Sequence, residues 1–156
     1  MKNTLKAVKK VLQQKIDYVR DGDIYITANE NIVPHDVMMP CIGIRDGDIE
    51  REEGVGCTNV KYSVLVFPYV SLAKTEAVVV GDDSSKEKGL LDIVADINEI
   101  LNGNLLDTDE IISAVAGRKE KHIQKVEDEG GYCFRKITTV EYERRITDSP
   151  QLAANQ

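Results

Sequence analysis

The run Thr58-Asn59-Val60-Lys61-Tyr62-Ser63-Val64-Leu65-Val66-Phe67-Pro68-Tyr69-Val70 alternates apolar Val60, Tyr62, Val64 and Val66 with polar Lys61 and Ser63, until both faces turn apolar around Leu65 and Phe67. A period of two is that of a pleated strand, and β-branched and aromatic side chains suit a half-buried sheet. The run therefore predicts a central strand, and the rest of the chain has to supply its neighbours and its covering layers.

Immediately upstream, Ile49 to Gly56 is acidic and flanked by glycines, as at the tip of a long hairpin or in a mobile loop. Before it, Cys41-Ile42-Gly43-Ile44-Arg45 reads as a short strand ending in the turn signal Asp46-Gly47. Ile24-Tyr25-Ile26-Thr27 is a further short β-rich run, followed by a polar loop and the segment Pro34 to Pro40. From Asn3 to Val19, Leu5, Val8, Val11, Leu12, Ile16 and Val19 recur at helical spacing among lysines and glutamines. This predicts an amphipathic first helix, capped by Asn3 or Thr4 and stopped by Arg20-Asp21-Gly22-Asp23. The five residues from Arg20 to Ile24 recur at Arg45 to Ile49, a coincidence of turn chemistry in which two copies are too few for a repeat architecture.

Downstream, Ala77 to Val80 fits a strand fragment or the lead-in to a helix. Gly81 to Ser85 is a loop with capping residues, and Leu90, Leu91, Ile93, Val94, Ile97, Ile100 and Leu101 mark a second amphipathic helix ended by Asn102-Gly103. Asp107 or Thr108 is placed to cap a third, shorter helix through Ile111, Ile112 and Val115, stopped by Gly117. Lys121 to Glu127 and Tyr132 to Arg145 then form a terminal hairpin around Glu129-Gly130-Gly131. Neither face of that last strand is cleanly apolar, which reads as an edge open to another chain. The fold expected is α+β: a mixed, mainly antiparallel sheet covered by an N-terminal and a central helix, with a C-terminal β-hairpin. One domain is expected over residues 1–146, followed by a loose polar tail over 147–156.

Composition narrows the function. The 156 residues suit one compact domain. Aromatic content is 5% with no Trp, so the core is built from Ile, Val and Leu, and base-stacking platforms are disfavoured. A formal charge of −7 repels phosphate backbones and anionic membranes, though it suits a wall past which DNA slides without sticking. Cys41, Cys57 and Cys133 are odd in number, lie far apart and form no C-x-x-C pair, which predicts reduced thiols in place of a disulfide framework or zinc site. The basic start lacks the apolar core of a signal peptide and no run is long enough to span a bilayer, so an intracellular, membrane-free protein is expected.

Catalytic patterns do not emerge. His35 and His122 are far apart and outside any H-x-x-x-H arrangement; Gly81 to Gly89 lacks the order of a phosphate-binding loop; Gly54-Val55-Gly56 lacks the third glycine of a dinucleotide fingerprint. There is no nucleophile elbow, and the carboxylates at Asp21, Asp23 and Asp46 to Glu53 lack the ligand spacing of a calcium loop. The expectation is a non-enzyme with no cofactor and no metal.

The order of these parts, with the final strand Cys133-Phe134-Arg135-Lys136-Ile137-Thr138-Thr139-Val140-Glu141-Tyr142, resembles the tail terminator or tail-completion proteins of long-tailed bacteriophages, from Leu5 to Arg145. The resemblance implies a virion subunit, assembled in the host cytoplasm, that forms a homohexameric ring on the head-proximal end of the tail tube. Its partners would be copies of itself, the major tail tube protein and a neck or head-completion protein, with DNA passing through the lumen unbound. Asp46, Asp48, Glu50, Glu52 and Glu53 are assigned to that lumen or to a subunit contact, with Arg135 and Tyr142 as further interface residues. The stretch Asp107 to Gly117 departs from the compact family pattern. The alternatives are another head-tail connector or stopper component, a non-viral ligand-binding α+β domain with a deep polar pocket, and an adaptor whose acidic loop binds a basic partner.

Overall fold

A computed structural model describes residues 1–71, 74–128 and 131–147. Helix α1 (Lys2–Lys15) leads through a short 3-10 turn, Asp21–Asp23, into β1 (Ile24–Ile26). After a long loop come β2 (Cys41–Gly54) and β3 (Cys57–Val70), the two longest strands, then the short helix α2 (Thr75–Val80) and helix α3 (Leu90–Leu101). The remaining elements are all strands: β4 (Ile111–Ala116), β5 (Gln124–Asp128), β6 (Gly131–Arg135) and β7 (Thr138–Thr147). The architecture is α+β, as the hydrophobic periods predict.

The seven strands form one mixed sheet in which β3 is the axis. One edge of β3 pairs antiparallel with β2, from Cys41 against Tyr69 to Gly54 against Cys57. Its other edge is shared: Cys57 to Val66 pair with β7, while Tyr69 and Val70 pair with β6. β1 adds parallel to β2, β5 adds to β6 and β4 adds to β7.

The alternation of β3 fixes the layers. Val60, Tyr62, Val64 and Val66 face one side, where they bury against Val8 and Leu12 of α1 and Ile93, Ile97 and Leu101 of α3. Each such aliphatic side chain contributes about 1.5–3 kcal/mol when fully buried, and that packing, more than helix propensity, holds the helices in place. Asn98 ties α3 to the sheet: its side-chain oxygen accepts from Thr138 Oγ1 at 2.7 Å and its amide donates to Glu120 at 2.6 Å. On the opposite face, Tyr25, Cys41, Phe67, Tyr69, Val126, Cys133 and Ile137 form a second cluster, against which Val33, Val37 and Met39 of the 27–40 loop pack.

That loop is pinned at two points. The Asp23 carboxylate takes 2.7 and 3.1 Å hydrogen bonds from Arg20 and a 3.0 Å bond from the Met38 N–H. At the other point the Glu30 carbonyl accepts from both the Tyr69 hydroxyl and the Arg135 guanidinium, while the Glu30 carboxylate pairs with Arg45.

Several local expectations are corrected. The first helix ends at Lys15, with Ile16 extended; Ile16 and Val19 keep their apolar character because the segment that follows the helix also buries side chains in the core. Neither Asn3 nor Thr4 caps it; the N-cap is Met1. Asp46-Gly47 is a bulge inside β2 where the register shifts, and not the end of a strand. The two Arg-Asp-Gly-Asp-Ile copies thus adopt different structures, a 3-10 turn and a strand bulge. Ala77 to Val80 belongs to helix α2.

The third helix expected between Asp107 and Gly117 is instead strand β4, where β-branched Ile111, Ile112 and Val115 complete the pairing of β7. Gly117 still ends the element, at φ 83°. The terminal hairpin forms as β5 and β6, but the long last strand breaks after Arg135, and β7 is an interior strand between β3 and β4 in place of an exposed edge. Glu129 and Gly130 of the hairpin turn, and the predicted tail beyond Thr147, lie outside the described residues.

Candidate interaction surface

The β2–β3 hairpin continues past the helical layer as an arm. Every residue from Glu50 to Gly56 is exposed, and Val55 at the turn is fully so at 105%. β1 covers only Ile42 to Ile44 of the outer β2 edge, so from Arg45 onward that edge has no strand partner among the described residues. Free backbone donors and acceptors on a long edge are a template for pairing with another chain.

The bulge at Asp46-Gly47 sorts the acidic run onto two faces. Past it, Ile49, Arg51 and Glu53 stand opposite Tyr62, Val60 and Thr58 and share the helix side of the sheet, while Glu50 and Glu52 stand opposite Lys61 and Asn59 on the other side. Among the described residues none of Asp46, Asp48, Glu50, Glu52 and Glu53 enters an ion pair. The sequence groups these five carboxylates; the structure places all of them on the exposed arm or its root.

Arg135 and Tyr142 are placed differently. Arg135 is 8% exposed and reaches inward to Gln124 Oε1, at 3.3 and 3.2 Å, and to the Glu30 carbonyl. Tyr142 is 1% exposed, its ring 6.0 Å from that of Tyr62. Burial pushes its hydroxyl pKa up, and that hydroxyl has no hydrogen-bond partner among the described residues. Both side chains are thus buried within their own subunit, unlike the five carboxylates of the arm.

Alongside the arm, the uncovered sheet face holds an open groove of about 390 Å³, lined by Glu50, Lys61, Ser63, Ser113, Lys119, Glu141 and others. Lys119 and Arg118 stand 3.5 and 4.0 Å from the Glu141 carboxylate. The lining therefore sets opposite charges beside one another on the open face. His35 and His122 are both exposed and lie outside this groove.

Elsewhere the titratable groups serve structure. Burial pushes the Cys41 thiol up to about 12, and Tyr25 and Met39 sulfur lie within 4.0 and 3.8 Å of its sulfur. Burial pushes the Asp96 carboxyl up, but hydrogen bonds from Tyr18 and Lys88, at 2.7 and 2.9 Å, outweigh it and leave that group below its ordinary value. Among the described residues no three His, Cys, Asp or Glu side chains gather to hold a metal ion, and no helix is long and apolar enough to cross a membrane. The free β2 edge is not legible in sequence because strand length, and hence how far β2 outruns β1, depends on the bulge at Asp46-Gly47. Compared with known proteins, the chain matches no family model and no curated protein sequence.

Proposed function

We propose that this chain is a virion structural protein, a tail terminator that caps the head-proximal end of a phage tail tube as a hexameric ring and joins it to the neck. The observation that carries the reading is the β2–β3 arm, whose exposed carboxylates lack ion pairs and whose outer edge lacks a strand partner among the described residues. Beyond its pairing with β3, the β2 side of the arm from Glu50 to Gly54 buries none of its side chains in its own subunit, which suits a contact with another chain. A ring needs two different patches on each subunit, which an arm on one side and a separate receiving surface provide. The reading also draws on the resemblance in the order of helix, long hairpin, covering helix and closing strands. The overall acidic charge suits a channel through which DNA moves without adhering.

Electron microscopy of the purified protein and gold-labelling of particles that contain it test the proposal. Six-membered rings, and label confined to the junction of tail and head, are expected. Label on the capsid shell or at the distal tail tip, or turnover of a small molecule by the isolated protein, rejects it. Label at the junction on a ring that stays with the head when tails detach would favour the neck component instead.

A further inference from the structure

Charge is segregated along this chain. Lys2, Lys6, Lys9, Lys10 and Lys15 fall within α1, and no Asp or Glu occurs between Met1 and Ile16. Because the whole chain carries −7, the part beyond this +5 helix carries −12. Lys2, Lys6 and Lys10 recur every four residues, which stacks them along one line of the helix surface. All three are exposed, and Lys9 lies beside them half-buried.

The arrangement works against the helix that bears it. Like charges four residues apart repel, and a lysine in the first turn opposes the positive end of the helix dipole, with no acidic residue there to offset it. Among the described residues none of the five lysines forms an ion pair. An anionic surface laid against α1 would relieve both penalties.

The arm is the complementary surface. Asp46, Asp48, Glu50, Glu52 and Glu53, with Arg51 among them and Lys61 opposite Glu50 on the neighbouring strand, are as free of ion pairs as the lysines. Ile49 and Val55, 51% and 105% exposed, give the same arm apolar side chains to bury. We propose that the lysine face of α1 in one copy docks on the acidic β2 arm of a second copy. The contact is head-to-tail between unlike surfaces, the type that closes into rings. A second copy is favoured over a nucleic acid or an anionic membrane because one contact then satisfies both unpaired surfaces, while the −12 remainder repels a polyanion brought up to the helix. This deepens the proposed function and rests on its premise that copies of the chain meet one another.

The test mixes isotopically light and heavy protein at low salt, joins touching ammonium and carboxylate groups with a carbodiimide, and maps the links by mass spectrometry, with sedimentation velocity in parallel. Links between the α1 lysines of one copy and the arm carboxylates of the other are expected, fading as salt is added. Lys2→Glu/Lys6→Glu/Lys10→Glu and Glu50→Lys/Glu52→Lys/Glu53→Lys, all at exposed positions, should each lose these links and assemble about tenfold more weakly. Mixed in equal amounts, the two variants should recover both, since each unlike pair then meets opposite charge on both sides. Absence of light–heavy links in the unaltered protein overturns the proposal, as does persistence in the variants or failure of the mixture to recover. Binding of duplex DNA or anionic vesicles that depends on the α1 lysines, without copy-to-copy links, also overturns it. Rings at the tail–head junction without α1–arm links would sink this contact and leave the terminator reading standing; links in a protein located away from any particle would do the reverse.

Discussion

The hydroxyls of Thr4 and Tyr62 stand 2.9 Å apart, joining the first turn of α1 to the middle of β3 across 58 residues of sequence. Both residues are buried, at 8% and 5% exposure, and a buried hydroxyl stripped of its partner costs about 1–3 kcal/mol. Tyr62→Phe is expected to lower the unfolding free energy by that amount in a urea titration. Tyr62→Phe combined with Thr4→Val, which removes both polar ends, should lose less than the sum of the single changes. Strict additivity would show that the two hydroxyls do not act as a pair.

Gly43 lies under the Phe67 ring, where an added Cβ would stand 2.1 Å from Cε2. Phe67 is fully buried, so its ring or the strand backbone must shift to admit the added atom. Gly43→Ala is expected to destabilise by about 1–3 kcal/mol through overpacking. Gly22→Ala, where an added Cβ meets nothing within 4 Å, should change stability by less than about 0.5 kcal/mol. Equal melting temperatures for the two variants would contradict this packing.

Removing Arg135 should loosen the 27–40 loop. Arg135→Ala leaves Gln124 Oε1 without its guanidinium and takes one donor from the Glu30 carbonyl. Faster cleavage within residues 27–40 by a nonspecific protease is expected, with a loss of about 1–3 kcal/mol. Exposed Arg145, 3.3 Å from the Asn59 side chain, serves as the control, and Arg145→Ala should leave the cleavage rate unchanged.

The Arg20 guanidinium on Asp23, aided by the Met38 N–H, holds the Asp23 carboxyl below its ordinary value despite burial. A folded-state pKa below the unfolded value of about 3.9 means that this group's contribution is complete above that pH and is lost as pH falls through the folded value. Asp23→Asn is therefore expected to be less stable than the unaltered protein at pH 7, with the gap narrowing below about pH 4. A gap that stays constant down to pH 2 would remove Asp23 from the acid response.

Cys41 and Cys57 should differ in reactivity. With its thiol at about 12, Cys41 is thiolate in only about one molecule in ten thousand at pH 8, and it is fully buried. Cys57, partly exposed at the arm, should be alkylated by iodoacetamide first. Peptide mapping that finds Cys41 modified at an equal rate in the native protein would contradict the packing of the second cluster.

The elements that sequence predicts well are those in which period, length and stop signal agree. β3 keeps its alternation over the whole of Val60 to Val66, and α3 has a full apolar stripe closed by Gly103 at φ 72°. Misreadings occur where local chemistry fits two structures. Ile111, Ile112 and Val115 suit a helical stripe as well as a strand, and only the open edge of β7 selects the strand. Asp46-Gly47 resembles a turn in isolation, but β3 opposite it continues and pulls β2 through a bulge.

The candidate surface divides in the same way. The five carboxylates of the arm are legible as a charge run, since charge needs no partner to be seen. Arg135 and Tyr142 look like surface in sequence because an alternating strand with polar positions resembles an edge until β3 and β5 flank Arg135 on β6, and β3 and β4 flank Tyr142 on β7. The lysines of α1 are visible in the sequence as a helix face; their lack of acidic neighbours becomes informative only once the fold shows no ion pair to them among the described residues.

The interior position of β7 also sets the timetable of synthesis. β2 and β3 are translated early and zip together through a tight turn, yet Lys61 must wait for Glu143 before its other edge is filled. On the ribosome, a nascent chain that has not yet released residues 138–147 carries a half-built sheet with a raw slot between β3 and β4. Stalling or premature termination before Thr138 would therefore yield a sticky product that chaperones must hold or proteases remove, while emergence of residues 138–147 lets β7 slide in and seal it.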